Sequence, residues 1–394
     1  VKIRLKQNVK EAALDRIRFL YSEFDNIYLA FSGGKDSTTC LQLALTVATE
    51  LDRLPLKVIW VDQEAEWQAT ADYVRTVMND PRVEPYWLQV PIQLFNSASM
   101  KDNWLQCWEE GKTWMREKEP NSIHENIFGT KAFYDMFDAV LRVYHPDERA
   151  CLIGGVRAEE SPARSKGLTT SPKFKGITWA KKLNKGKHPH YSFYPIYDWS
   201  YKDVWKYIHE VGCEYCTIYD SMYQHGVAPF QMRVSNLHHS TAIHSLYYLP
   251  EIEGKTWDKL TERLGGVHAA LNLEKSYMFQ APKKLPWMFK TWVEYRDHLL
   301  DMLVINPEHT EIYRKRFARD DQAYDGMLNK NRLTAVQIST ILTNDYYFVK
   351  LDNFGTTPQA GEFIKWKTGR PIKAKYGTWI PPHELEKAEK AKAN

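Results

Sequence analysis

The chain has 394 residues, 43% of them hydrophobic and 26% charged, with a formal net charge of +4. That is room for one large domain or two ordinary ones with a sizeable core, and no run of 18 apolar residues offers a membrane-spanning helix. The small charge surplus makes any polyanionic partner a matter of local clustering. Five cysteines (Cys40, Cys107, Cys151, Cys213 and Cys216), odd in number and mostly in apolar surroundings, suit a reduced cytoplasmic protein better than a disulfide framework.

In chain order, the basic start at residues 1–6 lacks the apolar core of a signal peptide. Val9, Ala13, Ile17, Leu20 and Phe24 mark an amphipathic first helix. Residues 27–30 read as a buried strand, 38–51 as a helix, 57–61 as a second strand ending at Asp62, and 67–78 as a helix. Residues 86–90 read as a third strand and 150–153 as a fourth, with a long aromatic stretch between them, 95–145, read as helical and walling the site. Further helices are predicted over 287–304, 308–319 and 334–342, and the Glu/Lys/Ala tail at 384–394 reads as a frayed helix. Strands alternating with helices predict an α/β fold, a doubly wound parallel sheet over residues 1–235, followed by a mainly helical accessory domain over 236–394. Ligands bind such sheets at the carboxyl ends of the strands. Ser32, Asp62 and Gly154 all lie just past strand ends.

The most informative stretch is Ser32-Gly33-Gly34-Lys35-Asp36-Ser37, set between the first strand and the next helix. Two glycines let the backbone curl and approach a ligand. The free N–H groups at the helix start then converge on one electropositive spot, with Lys35 adding a charge and the serines adding hydroxyls. The Walker turn needs four residues between its first glycine and its Gly-Lys pair, so this is a different phosphate turn. It resembles the signature of the PP-loop ATP pyrophosphatases, a superfamily that includes phosphoadenylylsulfate (PAPS) reductases and sulfurylase small subunits. Two further segments carry the resemblance. Gly154-Gly155-Val156-Arg157 through Arg164 is similar to the Gly-x-Arg-x-x-Glu-Ser-x-x-Arg region of PAPS reductases. Pro195-Ile196-Tyr197-Asp198-Trp199-Ser200 through Ile208 resembles their Pro-Ile-x-Asp-Trp element, a loop entering a helix with Asp198 or Ser200 as N-cap. Residues 219–223 and 231–234 resemble a PAPS reductase-like group with an added C-terminal domain (DUF3440), whose members are often encoded beside ParB-like proteins. That association implies a ParB-like partner.

The resemblance implies an adenine nucleotide alpha-hydrolase (PP-loop, HUP-like) fold. It implies ATP and Mg²⁺ as cofactors, with ATP held by Ser32, Gly33, Gly34, Lys35, Asp36, Ser37 and Gly154. Lys35, Asp36, Arg157 and Arg164 are the catalytic candidates, with Asp36 also the metal ligand. Asp62 is a candidate for nucleotide or metal, or else simply caps the following helix. Arg157 and Arg164 suit an anionic group because guanidinium grips phosphate or sulfate bidentately. One departure matters: the reductases use a cysteine thiolate in a C-terminal Glu-Cys-Gly motif, and no cysteine follows Cys216 here. The Cys213-x-x-Cys216 pair is too few thiolates for an iron–sulfur cluster. Zinc held by Cys213, Cys216, His239 and His244 is disfavoured by the gap between the pairs, and two small residues at a helix end is the preferred reading.

Residues 164–190 carry eight Lys or Arg and no acid: Arg164, Lys166, Lys173, Lys175, Lys181, Lys182, Lys185 and Lys187. Glycine and proline there read as a loop, either solvated or a basic lid for nucleic acid or another polyanion. A second basic cluster, Arg314, Lys315, Arg316 and Arg319, lies among acids and fits a solvated face. Together these features predict an enzyme that cleaves ATP between the α and β phosphates and adenylates a substrate. The alternatives are a sulfonucleotide reductase using a partner's thiol and a non-catalytic nucleotide sensor.

Overall fold

The computed structural model describes residues 6–96, 104–160, 162–169, 172–183, 188–229, 232–234, 236–238, 245–246, 248–265, 267, 284–304, 307–327, 330–342, 345, 348–355 and 357–369. The chain divides into two compact units: Val1–Leu94 with Trp104–Leu264, and Phe95–Asn103 with Gly265–Asn394.

Eight strands belong to the first part of the chain: β1 Asn26–Ala30, β2 Leu56–Val61, β3 Val83–Leu88, β4 Ile92–Phe95, β5 Trp104–Cys107, β6 Ala150–Ile153, β7 Ala180–Lys182 and β8 His190–Phe193. Six form one sheet in the order β3-β2-β1-β6-β8-β7, and β4 pairs with β5 separately. Within the large sheet every pairing is parallel except β7 with β8. Helices α1 Val9–Glu23, α2 Lys35–Glu50, α3 Gln68–Met78 and α4 Phe133–Tyr144 are followed by α5 Pro162–Thr169, α6 Tyr201–Val211, α7 Ile218–Gln224, α8 Leu249–Ile252 and α9 Gly254–Arg263. Every residue of β6 is buried, which requires cover on both faces of the sheet and explains its unbroken apolar run. The doubly wound parallel sheet predicted from the alternating pattern is the one observed.

Strand order decides where a ligand can enter. The chain leaves β1 for β2 and then β3 on one side, then crosses to β6 on the other side of β1. The order therefore reverses between β1 and β6, and a crevice opens at their carboxyl ends. The two double-glycine turns, after β1 and after β6, meet there. Arg16 in α1 locks a neighbouring loop: it grips both oxygens of Asp198 at 2.7 Å and donates to the Pro195 carbonyl. Ser200 is the N-cap of α6, in a reciprocal capping box with Asp203. Asp198 is thus an ion-pair partner, and the capping choice left open by the sequence falls to Ser200.

Three expectations are corrected. Among the described residues of 95–145, only α4 is α-helical. Trp104 to Cys107 alternate in burial as a strand does, and Gly111 and Gly129 take φ values of +75° and +68° that interrupt any helix. Residues 164–190 are not one open loop. Arg164 lies in α5, Phe174 and Trp179 are buried, and Lys181 and Lys182 project from β7, the sheet's edge strand. Lysines on an edge strand block pairing with another sheet, and Lys175 is paired with Glu23 at 2.6 Å. The first unit also runs past residue 235 to Leu264. The Glu253 carboxylate accepts from the first N–H groups of α3, at Gln68 (2.7 Å) and Ala69 (2.9 Å), and so caps a helix that has no side-chain cap of its own.

In the second unit, helices span Trp292–Leu303, Pro307–Ala323, Lys330–Leu342, Val349–Gly355 and Pro358–Lys367. Leu300, Tyr313, Phe317, Ile338, Ile341 and Phe363 are buried among them. Buried Arg296 is held by Asp297, Asp321 and Gln337. Arg314, Lys315, Arg316 and Arg319 each pair with an acid; Arg314, Lys315 and Arg319 are exposed, as a solvated face would be, whereas Arg316 is largely buried against Asp320. The tail at 384–394 lies outside the described residues.

Gly155 is the tightest point of the crevice. A Cβ there would stand 2.8 Å from the Asp36 carbonyl carbon and 2.9 Å from Ser37 N, backbone atoms that cannot step aside. Gly155→Ala is expected to destabilise the protein by about 1–3 kcal/mol, the usual cost of overpacking, seen as a lower urea midpoint with unchanged m-value.

Candidate functional site

The 32–37 turn follows β1 directly. Gly33 takes φ +70°, and a Cβ there would lie 2.8 Å from Thr70 Cγ2 of α3, so both backbone conformation and space demand glycine. Gly34 is the N-cap of α2 and supplies no side-chain cap, and the helix's first N–H, that of Lys35, is met instead by the Tyr219 hydroxyl. Within the turn, Ser37 Oγ donates to the Gly34 carbonyl at 2.9 Å and lies 3.1 Å from Ser32 Oγ, while Gly34 N–H reaches Ser32 Oγ at 3.4 Å. These bonds hold the curl before any ligand arrives. Gly154 extends β6, its N–H donating to the Phe193 carbonyl at 2.9 Å.

Four of the predicted residues come together here. Lys35 is buried, and its Nζ lies 3.2 Å from Asp36 Oδ2. Arg157 Nε bonds to the other oxygen, Asp36 Oδ1. Arg157 is only 5% exposed, and its Nη1 has no hydrogen-bond partner among the described residues. Arg164, one turn into α5, pairs with Glu160, whose other oxygen accepts from Arg157 N–H at 3.2 Å. Burial, together with the adjacent guanidinium groups of Arg233 and Arg157, pushes the Arg164 pKa below its ordinary value, with Asp36 opposing. Three arginines and a lysine thus share one locality with two acids, Asp36 and Glu160, a surplus of cations suited to an anionic ligand.

Two residues outside the predicted set complete the site. Tyr219 of α7 places its hydroxyl 3.0 Å from Lys35 N and its ring 5.4 Å from Lys35 Nζ. Arg233 joins the arginine group, and the next residue, Val234, approaches within 3.0 Å of a Cβ built on Gly34. The only signal for either was membership of the segments that resemble the C-terminally extended group. Nothing local in the sequence pairs Tyr219 with a turn 184 residues earlier.

Asp62 is placed differently from the expectation that it meets nucleotide or metal. It is fully buried, and its oxygens are taken by Arg116 Nη2, Glu64 N–H (2.9 Å), Trp87 Nε1 (3.0 Å) and Gln89 Nε2 (3.0 Å). It is the hub of a buried acidic loop. Glu64, at φ +60°, accepts from Arg263 Nε at 2.7 Å and Trp108 N–H at 2.6 Å. Burial and the nearby Asp62 carboxylate push Glu66 up to about 8, against the pull of Arg116. The loop's charges are met from 116 and 263, which fixes both later segments onto the end of β2.

The surroundings of the cysteines favour the thiol over the thiolate. Burial raises Cys40, Cys107 and Cys151 well above the ordinary value, raises Cys216 to about 11 and raises half-buried Cys213 as well. Cys216 Sγ lies 3.5 Å from Thr70 Oγ1. His239 and His244, the other two residues of the weighed zinc set, lie outside the described residues.

A parallel sheet with a glycine-rich anion turn at its switch point, backed by convergent Lys and Arg, defines a nucleotide-binding domain of the PP-loop class. The chain matches the phosphoadenosine phosphosulfate reductase domain over residues 26–268, more than half its length, and belongs to that family. It is 29% identical over 338 residues to the uncharacterized protein YbdN of Escherichia coli (strain K12), covering 80% of each. That span exceeds what the chain offers up to residue 268, so the likeness includes part of the C-terminal region. It is 24% identical to an adenosine 5'-phosphosulfate reductase of Lysinibacillus sphaericus, over 52% of this chain and 79% of the relative. It is 23% identical to sulfate adenylyltransferase subunit 2 of Aliivibrio fischeri, over 54% and 66% respectively. Among solved structures, the phosphoadenylyl-sulfate reductase of Candida auris, as a phosphate complex, aligns at 16% identity with a TM-score of 0.33 over 61% of this chain and 99% of that one.

Glu66 gives this site a pH signature. Its folded-state value lies above that of an exposed glutamate, so the folded protein holds a proton that the unfolded chain releases. Stability therefore falls as pH rises from about 4.5 towards about 8. Glu66→Gln is expected to flatten that slope and raise the melting temperature at pH 8 above wild type, while leaving it nearly unchanged at pH 4.5, as thermal melts across pH would show.

Proposed function

We propose that this chain binds ATP at the β1–β6 switch point and cleaves it between the α and β phosphates. An oxygen of a second substrate attacks the α-phosphorus, the bond to the bridging oxygen breaks, and that oxygen leaves with its electron pair on pyrophosphate. The name of one relative, a sulfate adenylyltransferase, describes the same class of transfer. The observation that carries the reading is the convergence of Lys35 and Arg157 on Asp36 in the first turn of α2, with Arg157 Nη1 buried and without a hydrogen-bond partner among the described residues. A buried guanidinium N–H without an acceptor is costly, and an ionised phosphate oxygen is the acceptor its surroundings suit.

In this reading the turn's N–H groups and the α2 dipole receive the negative charge that grows on the leaving pyrophosphate. Lys35 adds a point charge to the same end. Asp36 works by holding Lys35 and Arg157 in fixed positions, so little reorganisation is needed during the reaction. Arg164 and Arg233, nearer solvent, bind the anionic group of the second substrate or steer it inward.

Mg²⁺ usually accompanies ATP, bound through one or two carboxylates and the phosphates. Asp36, the predicted ligand, does not fit that role: one oxygen faces Arg157 Nε and the other Lys35 Nζ. No group of three His, Cys, Asp or Glu is gathered for a metal among the described residues. No step is assigned to a protein-held ion. The reductase alternative needs a thiolate, and raised thiol pKa values disfavour one from within the described residues.

Calorimetry with ATP tests the reading. Lys35→Ala is expected to weaken binding by about 1.5–3 kcal/mol, the range for hydrogen bonds to charged groups. Arg157→Ala is expected to weaken ATP binding by a similar amount and to abolish pyrophosphate release. Equal ATP affinity in wild type and Lys35→Ala would overturn the assignment.

A further inference from the structure

Tyr219 does more at the turn than fill space. It is 3% exposed and comes from α7, braced from behind by Trp205 of α6 in an edge-to-face contact with centroids 5.2 Å apart. Its hydroxyl oxygen accepts the Lys35 N–H, the first of α2, at 3.0 Å. A phenol has one O–H to give and two lone pairs to receive with. The Lys35 N–H occupies one lone pair. The O–H itself has no acceptor among the described residues. A buried, unmade donor is a cost that native structures seldom carry without a reason. Here the donor sits at the head of α2, beside Lys35 Nζ and the Arg157–Asp36 pair, where only a group with free lone pairs is missing.

We propose that Tyr219 is a phosphate-binding residue whose hydroxyl relays the head of α2 to the ligand, accepting the Lys35 N–H and donating its own hydrogen to a phosphate oxygen of the departing pyrophosphate. This rests on the reading of the 32–37 turn as the phosphate site. The hydroxyl is suited to the task because it is neutral. It adds a donor where Lys35, Arg157, Arg164 and Arg233 already crowd positive charge, and so contributes a contact without further repulsion. Burial raises its pKa far above that of an exposed tyrosine, so the proton is present across the working pH range. The same hydroxyl joins α7 to the head of α2, so a bound phosphate ties those two elements together through one atom.

The test uses the full chain with sodium pyrophosphate, followed by calorimetry, for wild type and Tyr219→Phe. Phenylalanine keeps the ring against Trp205 and under Lys35. The expected result is pyrophosphate binding at least about 10-fold weaker in the variant, the effect of losing a hydrogen bond to a charged group. Wild type failing to bind pyrophosphate or ATP would remove the phosphate-site reading, and this proposal with it, before the variant is considered. Wild type binding and Tyr219→Phe binding equally well would leave that reading intact and reduce Tyr219 to a helix cap. A crystal structure of the wild-type complex decides independently of whether the variant folds. Tyr219 Oη within about 3 Å of a phosphate oxygen supports the proposal, and an Oη turned away from the anion overturns it.

Discussion

The contact between the backbone after β6 and the first turn of α2 governs everything else at this site. Gly155 lies so close to the Asp36 carbonyl that no side chain fits between them. That approach brings Arg157, two residues further on, within reach of the Asp36 carboxylate. The pair then holds Lys35 through the second carboxylate oxygen. A parallel sheet makes this possible because β1 and β6 are neighbours whose carboxyl ends point the same way. Were the strands ordered otherwise, the two double-glycine turns would lie at unrelated places.

A second set of interactions shapes the other side of the crevice. Asp62, Glu64 and Glu66 follow β2 and are all buried, a costly arrangement unless each charge is met. Arg116 and Arg263 meet two of them, and Glu66 keeps its proton. Removing one partner would strand a buried charge, so the network specifies a single placement for segments distant in sequence. It holds the end of β2 in place through Arg116 and Arg263.

The neighbourhood also separates what the family shares from what this chain does with it. Membership is established over residues 26–268, yet a reductase's chemistry depends on a thiolate, and the thiols here are held protonated by burial. The phosphate turn, by contrast, is formed before any ligand binds, its curl fixed by Ser32, Ser37 and two glycines.

How much of this was legible beforehand follows from the range of each interaction. The 32–37 turn, strands β1, β2, β3 and β6 and helices α1 to α3 are local: apolar period and glycine placement act over a few residues and can be read directly. The stretch 95–145 misled because its aromatic richness carries no period, and only packing against the end of β2 decides that most of it is strand and irregular chain. Asp62 looked like a ligand because strand-end acids often are, and nothing near it in sequence reveals Arg116, Trp87 and Gln89 closing around it. Tyr219 and Arg233 were quoted for their resemblance without a role, since their partners are the turn and the arginines that tertiary folding delivers. By itself the sequence determined the class of fold and the phosphate turn, because those rest on short-range geometry. Which carboxylates face the ligand and which are buried as counter-ions was decided only by the tertiary structure, because desolvation and pairing of charge depend on neighbours that the chain brings together from far apart.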